Sequence, residues 1–99
     1  MQIHLTGQAA EWFHNEMFLK KGDYVRFYVR YGGSSPIQQG FSLGVNKEEP
    51  IDAGVLEEKD GINYFIESRD AWYFDGHDLY VDYNEKLDEP LYEYKKNNG

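Results

Sequence analysis

The chain has 99 residues and no cysteine, so it is long enough for one small domain, and disulfides and thiolate metal sites are excluded. Its 18 acidic and 10 basic residues give a formal charge of −8. Residues 1–47 hold three acidic and five basic side chains, whereas residues 48–99 hold fifteen and five. So negative a surface repels phosphate groups and argues against binding to nucleic acid or to anionic membranes.

The acidic second half has two interpretations. It is either a solvated face that keeps the protein soluble, or a docking surface for a basic partner or for hard cations. Residues 1–6 lack the basic stretch and apolar run of a targeting segment, and no apolar run approaches the ~18 residues of a membrane span. We therefore expect a cytoplasmic protein that does not enter membranes.

The first half predicts a strand, a helix and a long hairpin. Residues 2–5 alternate polar and apolar side chains, and Thr6 is suited to cap a helix over residues 7–21. Gly22 is expected in the left-handed position that closes this helix. From residue 23 the hydrophobic period changes to two, which is typical of a half-buried strand. A Gly/Ser/Pro loop at residues 32–36 separates it from the next strand.

The second half predicts two more hairpins and a short last strand. Asp60-Gly61 is a two-residue hairpin signal, because both turn positions require positive φ. Asp75-Gly76 is interpreted as the turn of a second hairpin that follows a strand at residues 72–74. Residues 91–94 are expected to add a strand, and the closing residues to fray. The sequence predicts one α+β domain over residues 1–99, with one N-terminal amphipathic helix packed on mostly antiparallel or mixed sheets.

Two blocks of sequence resemble a known family. Residues 31–43 read Tyr-Gly-Gly-Ser-Ser-Pro-Ile-Gln-Gln-Gly-Phe-Ser-Leu, which is similar to the signature of the HesB/IscA family, the A-type iron–sulfur carriers, usually close to Gly-Gly-Cys-Ser-Gly-Phe-Gln-Tyr-Gly-Phe-Ser-Leu. Pro36 and Gln39 depart from that signature. Residues 65–83 resemble the family's hydrophobic strand, serine-containing turn and Asp-Gly segment. The resemblance covers nearly the whole chain in order and implies a HesB-like fold.

The residues that would hold a cluster are absent. Within the loop Gly33, Ser34 and Ser35, Ser34 stands where the family has its first cluster cysteine, and residues 95–99 lack the family's Cys-Gly-Cys tail. A serine hydroxyl is a poor substitute for a thiolate on iron. We therefore expect no cluster and no other cofactor. The resemblance implies a non-catalytic binding protein with protein partners or self-association as a homodimer, linked to iron–sulfur or iron metabolism.

The alternative is a small enzyme or metal-dependent protein. Asp75, His77, Asp78 and Asp82 supply oxygen and nitrogen ligands within eight residues, although Asp-Gly-x-Asp falls short of an EF-hand loop. The same residues are more typical of a hairpin turn with a solvated histidine. Ser34 and Ser35 lack the Gly-x-Ser-x-Gly elbow of a nucleophile and are interpreted as loop residues.

Two further groups of residues leave alternatives open. Arg26 and Arg30 share a strand face and either clamp an anionic ligand or pair with carboxylates of neighbouring strands. Tyrosines crowd the C-terminal third of the chain, where they either mark an interface or cover a thin sheet with amphipathic rings. They are Tyr73, Tyr80, Tyr83, Tyr92 and Tyr94.

Overall fold

The computed structural model describes residues 1–96 and confirms the predicted α+β class. Seven strands, one α-helix and one 3₁₀ helix make up the described part of the chain. In order they are β1 (Ile3–Leu5), α1 (Gly7–Glu16), β2 (Tyr24–Ser34), β3 (Gln39–Lys47), β4 (Ala53–Lys59), β5 (Ile62–Glu67), the 3₁₀ helix (Ser68–Phe74), β6 (His77–Asn84) and β7 (Glu89–Lys96). No helix of residues 1–96 has the length and apolar character needed to cross a bilayer.

The strands form two mixed sheets. One has the order β1-β6-β7 and the other the order β3-β2-β5-β4. The β1–β6 and β2–β5 pairs are parallel, while β2–β3, β4–β5 and β6–β7 are antiparallel. Strands β3 and β7 are therefore edge strands, and this position matters for the surface described below.

The core lies between α1 and the two sheets. Phe13 of the helix packs against Phe27 of β2 and Tyr64 of β5, with ring centroids 5.7 and 5.9 Å apart. Such contacts supply the stability that disulfides cannot supply here. The inward positions of β2 alternate as the sequence predicts. The core cluster comprises Ile3, Ala9, Phe13, Leu19, Val25, Phe27, Ile62, Tyr64, Ile66, Tyr73, Phe74, Leu79 and Val81.

The helix begins as predicted, because the hydroxyl of Thr6 accepts a hydrogen bond from the amide of Ala9 at 3.1 Å. The glycine expected to close it has another role. Gly22 does have a positive φ of 95°, but it lies in the turn before β2. There its amide donates to the carbonyl of Gly61 at 2.7 Å and links this turn to the β4–β5 hairpin.

The predicted extension of the helix to Lys21 is wrong, since the helix ends at Glu16. Phe18 takes the left-handed conformation with φ 53°, and the amide of Leu19 donates to the carbonyl of His14 at 3.1 Å. This bond is typical of a Schellman helix end. Leaving the helix here places Leu19 in the core, and its burial explains the early end.

One hairpin prediction is confirmed and the other is wrong. Asp60 and Gly61 have φ of 53° and 85° and join β4 to β5. Asp75 also has a positive φ, but residues 72–74 belong to the 3₁₀ helix. Tyr73 and Phe74 are both buried, and a strand would point consecutive side chains to opposite faces. Strand β6 instead pairs with β7 across residues 85–88.

Two strands are longer than the pattern predicts. Strand β2 continues through Gly32 and Gly33 to Ser34, with a register shift between Tyr31 and Ser34. Glycine allows the positive φ of 117° and 67° at these two positions. Strand β7 covers residues 89–96 rather than 91–94. The predicted fraying of the last residues concerns 97–99, which lie outside the described part of the chain.

Candidate functional site

Three aromatic side chains lie in a row at the end of the β2–β3 hairpin that carries its turn. The ring of Tyr31 packs edge-on against Phe41 of β3 at 5.7 Å, and Phe41 packs against Trp72 of the 3₁₀ helix at 5.3 Å. Tyr31 is 89% exposed and Trp72 is 52% exposed. We call these three residues the aromatic ladder. Exposed aromatic residues in contact with one another are typical of protein-binding surfaces.

The ladder begins where the buried face of β2 becomes exposed to solvent. Val25 and Phe27 are buried on this face, Val29 is half-buried, and Tyr31 is open to solvent. At the other end of the ladder, Trp72 contacts the buried Tyr73, with ring centroids 6.2 Å apart. The exposed rings are thus fixed to the core rather than carried on a free loop.

The loop that resembles the ligand loop of the HesB/IscA signature lies beside the ladder. Ser42 donates its hydroxyl to the carbonyl of Gly32 at 3.0 Å, and a Cβ on Gly33 would come within 3.3 Å of the Ser42 hydroxyl oxygen. The hydroxyl of Ser35 accepts from the amide of Gln38 at 3.1 Å. These bonds hold a tight turn, so the loop is structured by its own serines and glycines.

The chemistry of this loop does not suit a cluster or a nucleophile. Ser34 and Ser35 offer hydroxyl oxygens rather than thiolates, and hard oxygen donors do not fit iron–sulfur chemistry. Within residues 1–96, no histidine or carboxylate hydrogen-bonds to either hydroxyl. Gly33, Ser34 and Ser35, the residues at the expected degenerate ligand positions, therefore form a polar turn. This turn borders a groove.

That groove lies between the edge strands β3 and β7. It is open and has a volume of about 250 Å³. Its walls combine serine hydroxyls from the turn with apolar and aromatic side chains from the two edge strands. The lining residues are Ser34, Ser35, Pro36, Ser42, Leu43, Pro90, Leu91, Tyr92 and Tyr94.

The candidate metal ligands are not brought together. The Nδ1 atom of His77 lies 2.8 Å from the carbonyl of Phe74 and 3.1 Å from that of Asp75. Successive residues of a strand face opposite sides, so His77 points away from the face that carries Asp78 and Asp82. In residues 1–96, no three His, Asp or Glu side chains gather closely enough to hold a metal ion.

The two carboxylates of β6 instead tie this strand to β1 and to the helix start. Asp78 accepts from the amide of Gln2 at 2.8 Å and lies 3.2 Å from the Nε2 of His4. Asp82 accepts from the hydroxyl of Thr6 at 3.3 Å. Their positions are explained by the architecture, because they satisfy polar groups where β1 meets β6.

The two arginines of β2 have different partners. Arg26 donates to Glu48 and to the buried Asp70, each at 3.0 Å. Partial burial disfavours its charge, but the hydrogen bonds that it donates to Glu48 and Asp70 outweigh this and raise the pKa of Arg26. Arg30 donates to the hydroxyl of Ser42 at 3.1 Å. Arg26 therefore pairs with carboxylates, but these lie just after β3 and in the 3₁₀ helix rather than on neighbouring strands, while Arg30 bonds a hydroxyl.

Three of the crowded tyrosines cover the sheet and pack against the core. Tyr73 is buried, its hydroxyl lies 3.1 Å from that of Tyr94, and Tyr92 also packs against the core. Burial raises the pKa of Tyr92 to about 12 and raises that of Tyr94 as well. The ladder, by contrast, exposes aromatic rings to solvent. Sequence analysis missed it, and the available signal was Tyr31, an aromatic at the end of a buried face.

Sequence comparison shows the family of the chain. Over 95 residues it is 54% identical to the pyruvate dehydrogenase inhibitor of Bacillus subtilis (strain 168), covering 96% of this chain and 100% of that protein. The chain belongs to the family of that inhibitor. Two staphylococcal relatives also match, one of S. saprophyticus at 41% identity over 95 residues (93% of this chain, 97% of the relative) and one of S. aureus (strain MRSA252) at 39% over 98 residues (96% and 100%). No protein-family model matches the chain.

Structural comparison shows the fold. The chain superimposes on Escherichia coli SufA, a protein involved in biosynthesis of iron–sulfur clusters, with a TM-score of 0.63. The match covers 99% of this chain and 82% of SufA at 19% identity. At such identity the likeness shows the fold alone. The predicted HesB-like fold is therefore confirmed, and the likeness itself carries no activity.

Proposed function

We propose that this protein is a non-catalytic regulator that binds another protein and inhibits it, with the pyruvate dehydrogenase complex as its target. The observation that carries the proposal is the 54% identity over 95 residues to a protein named as an inhibitor of pyruvate dehydrogenase. A cytoplasmic location is part of the proposal. The iron–sulfur role implied by the motif has weaker support, because the ligand loop offers hydroxyls in place of thiolates.

We assign the contact with the target to the aromatic ladder. Tryptophan and tyrosine dominate the binding energy of many protein interfaces, because they bury large areas and lose few rotamers. Tyr31 and Trp72 are exposed, and both rest on Phe41. Such rings can enter a pocket of the target with little reorganisation of the chain.

The test is inhibition by purified protein. The chain is titrated into the pyruvate dehydrogenase complex of its own host, and the overall reaction rate is measured together with co-sedimentation. We expect dose-dependent inhibition, and a loss of potency of about tenfold or more for Trp72→Ala and for Tyr31→Ala. Phe18→Ala is the matched control, since Phe18 is an exposed aromatic outside the ladder.

The outcomes separate the two parts of the proposal. If the unaltered chain does not inhibit the complex, the proposed target is wrong. If both ladder variants still inhibit at full potency, the assigned surface is wrong and the proposed target is unaffected.

Self-association through the ladder is the second form of the partner proposal. Sedimentation of the chain alone tests it, and Trp72→Ala is then expected to shift a dimer to monomer.

A further inference from the structure

A second surface feature lies away from the ladder, between α1 and the β6–β7 turn. It is an open cleft with a volume of about 350 Å³. One wall comes from the outer face of the helix, and the other from residues at the end of β6 and in the turn that follows. The lining residues are Gln8, Glu11, Trp12, Asn15, Glu16, Tyr83 and Asp88.

The two aromatic side chains of the cleft are fixed by one residue. The indole N–H of Trp12 donates to the backbone carbonyl of Asp88 at 3.0 Å. The hydroxyl of Tyr83 donates to the carboxylate of Asp88 at 2.7 Å, and this bond raises the pKa of Tyr83. Trp12, Tyr83 and Asp88 therefore form a preorganised unit of two rings and one carboxylate, although they come from separate elements.

The cleft carries negative charge from three carboxylates. Glu11, Glu16 and Asp88 line it, and no lysine, arginine or histidine of residues 1–96 does. None of these three carboxylates takes part in the ion pairs formed within residues 1–96. Unbalanced carboxylates beside aromatic rings attract a cation by Coulomb and cation–π forces together.

The shape of the site favours an organic cation over a metal ion. The carboxylates are too far apart for a metal site, since no group of three in residues 1–96 is close enough to hold one. A guanidinium group is planar and weakly hydrated, stacks on aromatic rings, and offers five N–H donors to carboxylates. We propose that this cleft binds an arginine side chain of a protein partner. The site is independent of which enzyme the chain inhibits.

The test is an NMR titration of the full chain with N-acetyl-arginine amide. The reporter is the indole N–H signal of Trp12, assigned with Trp12→Phe, and the indole of Trp72 is the internal reference. We expect a saturable shift of the Trp12 signal alone. The uncharged isostere N-acetyl-citrulline amide is expected to bind about tenfold more weakly, because it has the same shape without the charge.

A pair of charge-matched variants locates the site. Glu11→Gln with Glu16→Gln is expected to weaken arginine binding by about fivefold or more. Glu49→Gln with Glu57→Gln changes the net charge equally at exposed positions outside the cleft and is expected to leave binding unchanged. Equal shifts with arginine and citrulline, equal weakening in both double variants, or a Trp12 signal that does not move would each overturn the proposal.

Discussion

The ring of Tyr28 lies over Gly44, its partner across the β2–β3 pair. A Cβ built on Gly44 would lie 2.4 Å from the Cζ atom of Tyr28, so no side chain fits there while the ring stays in place. The guanidinium of Arg26 lies 5.7 Å from the centroid of the same ring. The glycine thus lets one aromatic ring cover the neighbouring strand.

Gly44→Ala is expected to lower the free energy of unfolding by about 1–2 kcal/mol, because the ring must swing away from the sheet. In a Tyr28→Ala background the same change is expected to be neutral or stabilising, since alanine is favoured over glycine in a strand by about 0.5–1 kcal/mol. Urea denaturation of the four proteins measures this coupling. An equal loss in both backgrounds would show that the ring is not the cause.

Removal of the hydroxyl is expected to change the free energy of unfolding differently at two buried tyrosines. The hydroxyl of Tyr64 has no hydrogen-bond partner within residues 1–96, whereas that of Tyr73 bonds Tyr94. We expect Tyr64→Phe to leave the free energy of unfolding unchanged or raise it by up to about 1 kcal/mol. Tyr73→Phe is expected to lower it by about 1 kcal/mol. Chemical denaturation checks both, and a Tyr64→Phe loss as large as that of Tyr73→Phe contradicts the prediction.

The ion pair between Arg26 and Asp70 should matter far more than the pair between Lys47 and Asp23. Arg26 and Asp70 are each 13% exposed and 3.0 Å apart, so Asp70→Asn leaves a largely buried guanidinium short of a partner. We expect a loss of about 3 kcal/mol in the free energy of unfolding. Lys47 is 48% exposed, and Lys47→Met is expected to cost under about 1 kcal/mol. Similar losses in both variants would contradict this ranking.

Stability is expected to fall as the pH rises from about 10 to about 12. Burial raises the pKa of Tyr64 and of Tyr92 from 10.0 to about 12. The folded state therefore retains protons that the unfolded state releases above pH 10, and each retained proton is worth about 1.4 kcal/mol per pKa unit. Below pH 10 this contribution is complete, and it disappears as the pH passes the folded pKa.

Denaturation at a series of alkaline pH values, together with tyrosinate absorbance of the folded protein, measures this effect. Tyr92→Phe is expected to make the decline between pH 10 and 12 shallower, because phenylalanine does not ionise. A decline of the same steepness in Tyr92→Phe would show that other groups control alkaline unfolding.

Local signals in the sequence were reliable where neighbouring residues decide the outcome. The hydroxyl of Thr6 caps the helix, Asp60 and Gly61 make a two-residue hairpin, and β2 alternates its faces. Each of these depends on contacts within a few residues, which the sequence displays directly. The motif resemblance also predicted the HesB-like fold, since its two blocks lie in the right order along the chain.

Predictions failed where distant parts of the chain compete for burial. The helix stops at Glu16 because Leu19 enters the core, and residues 72–74 form a 3₁₀ helix because Tyr73 and Phe74 are both buried. Local propensity and hydrophobic periodicity contain no information about such long-range packing.

By itself, the sequence determined the α+β class, the absence of thiolate ligands and the excess of negative charge. Only the tertiary structure decided which side chains meet. It separates His77 from Asp78 and Asp82, joins Tyr31 to Trp72 through Phe41, and gathers the acidic aromatic cleft around Asp88. The physical reason is that a site consists of side chains close in space, and their proximity depends on strand register and sheet packing rather than on spacing along the chain.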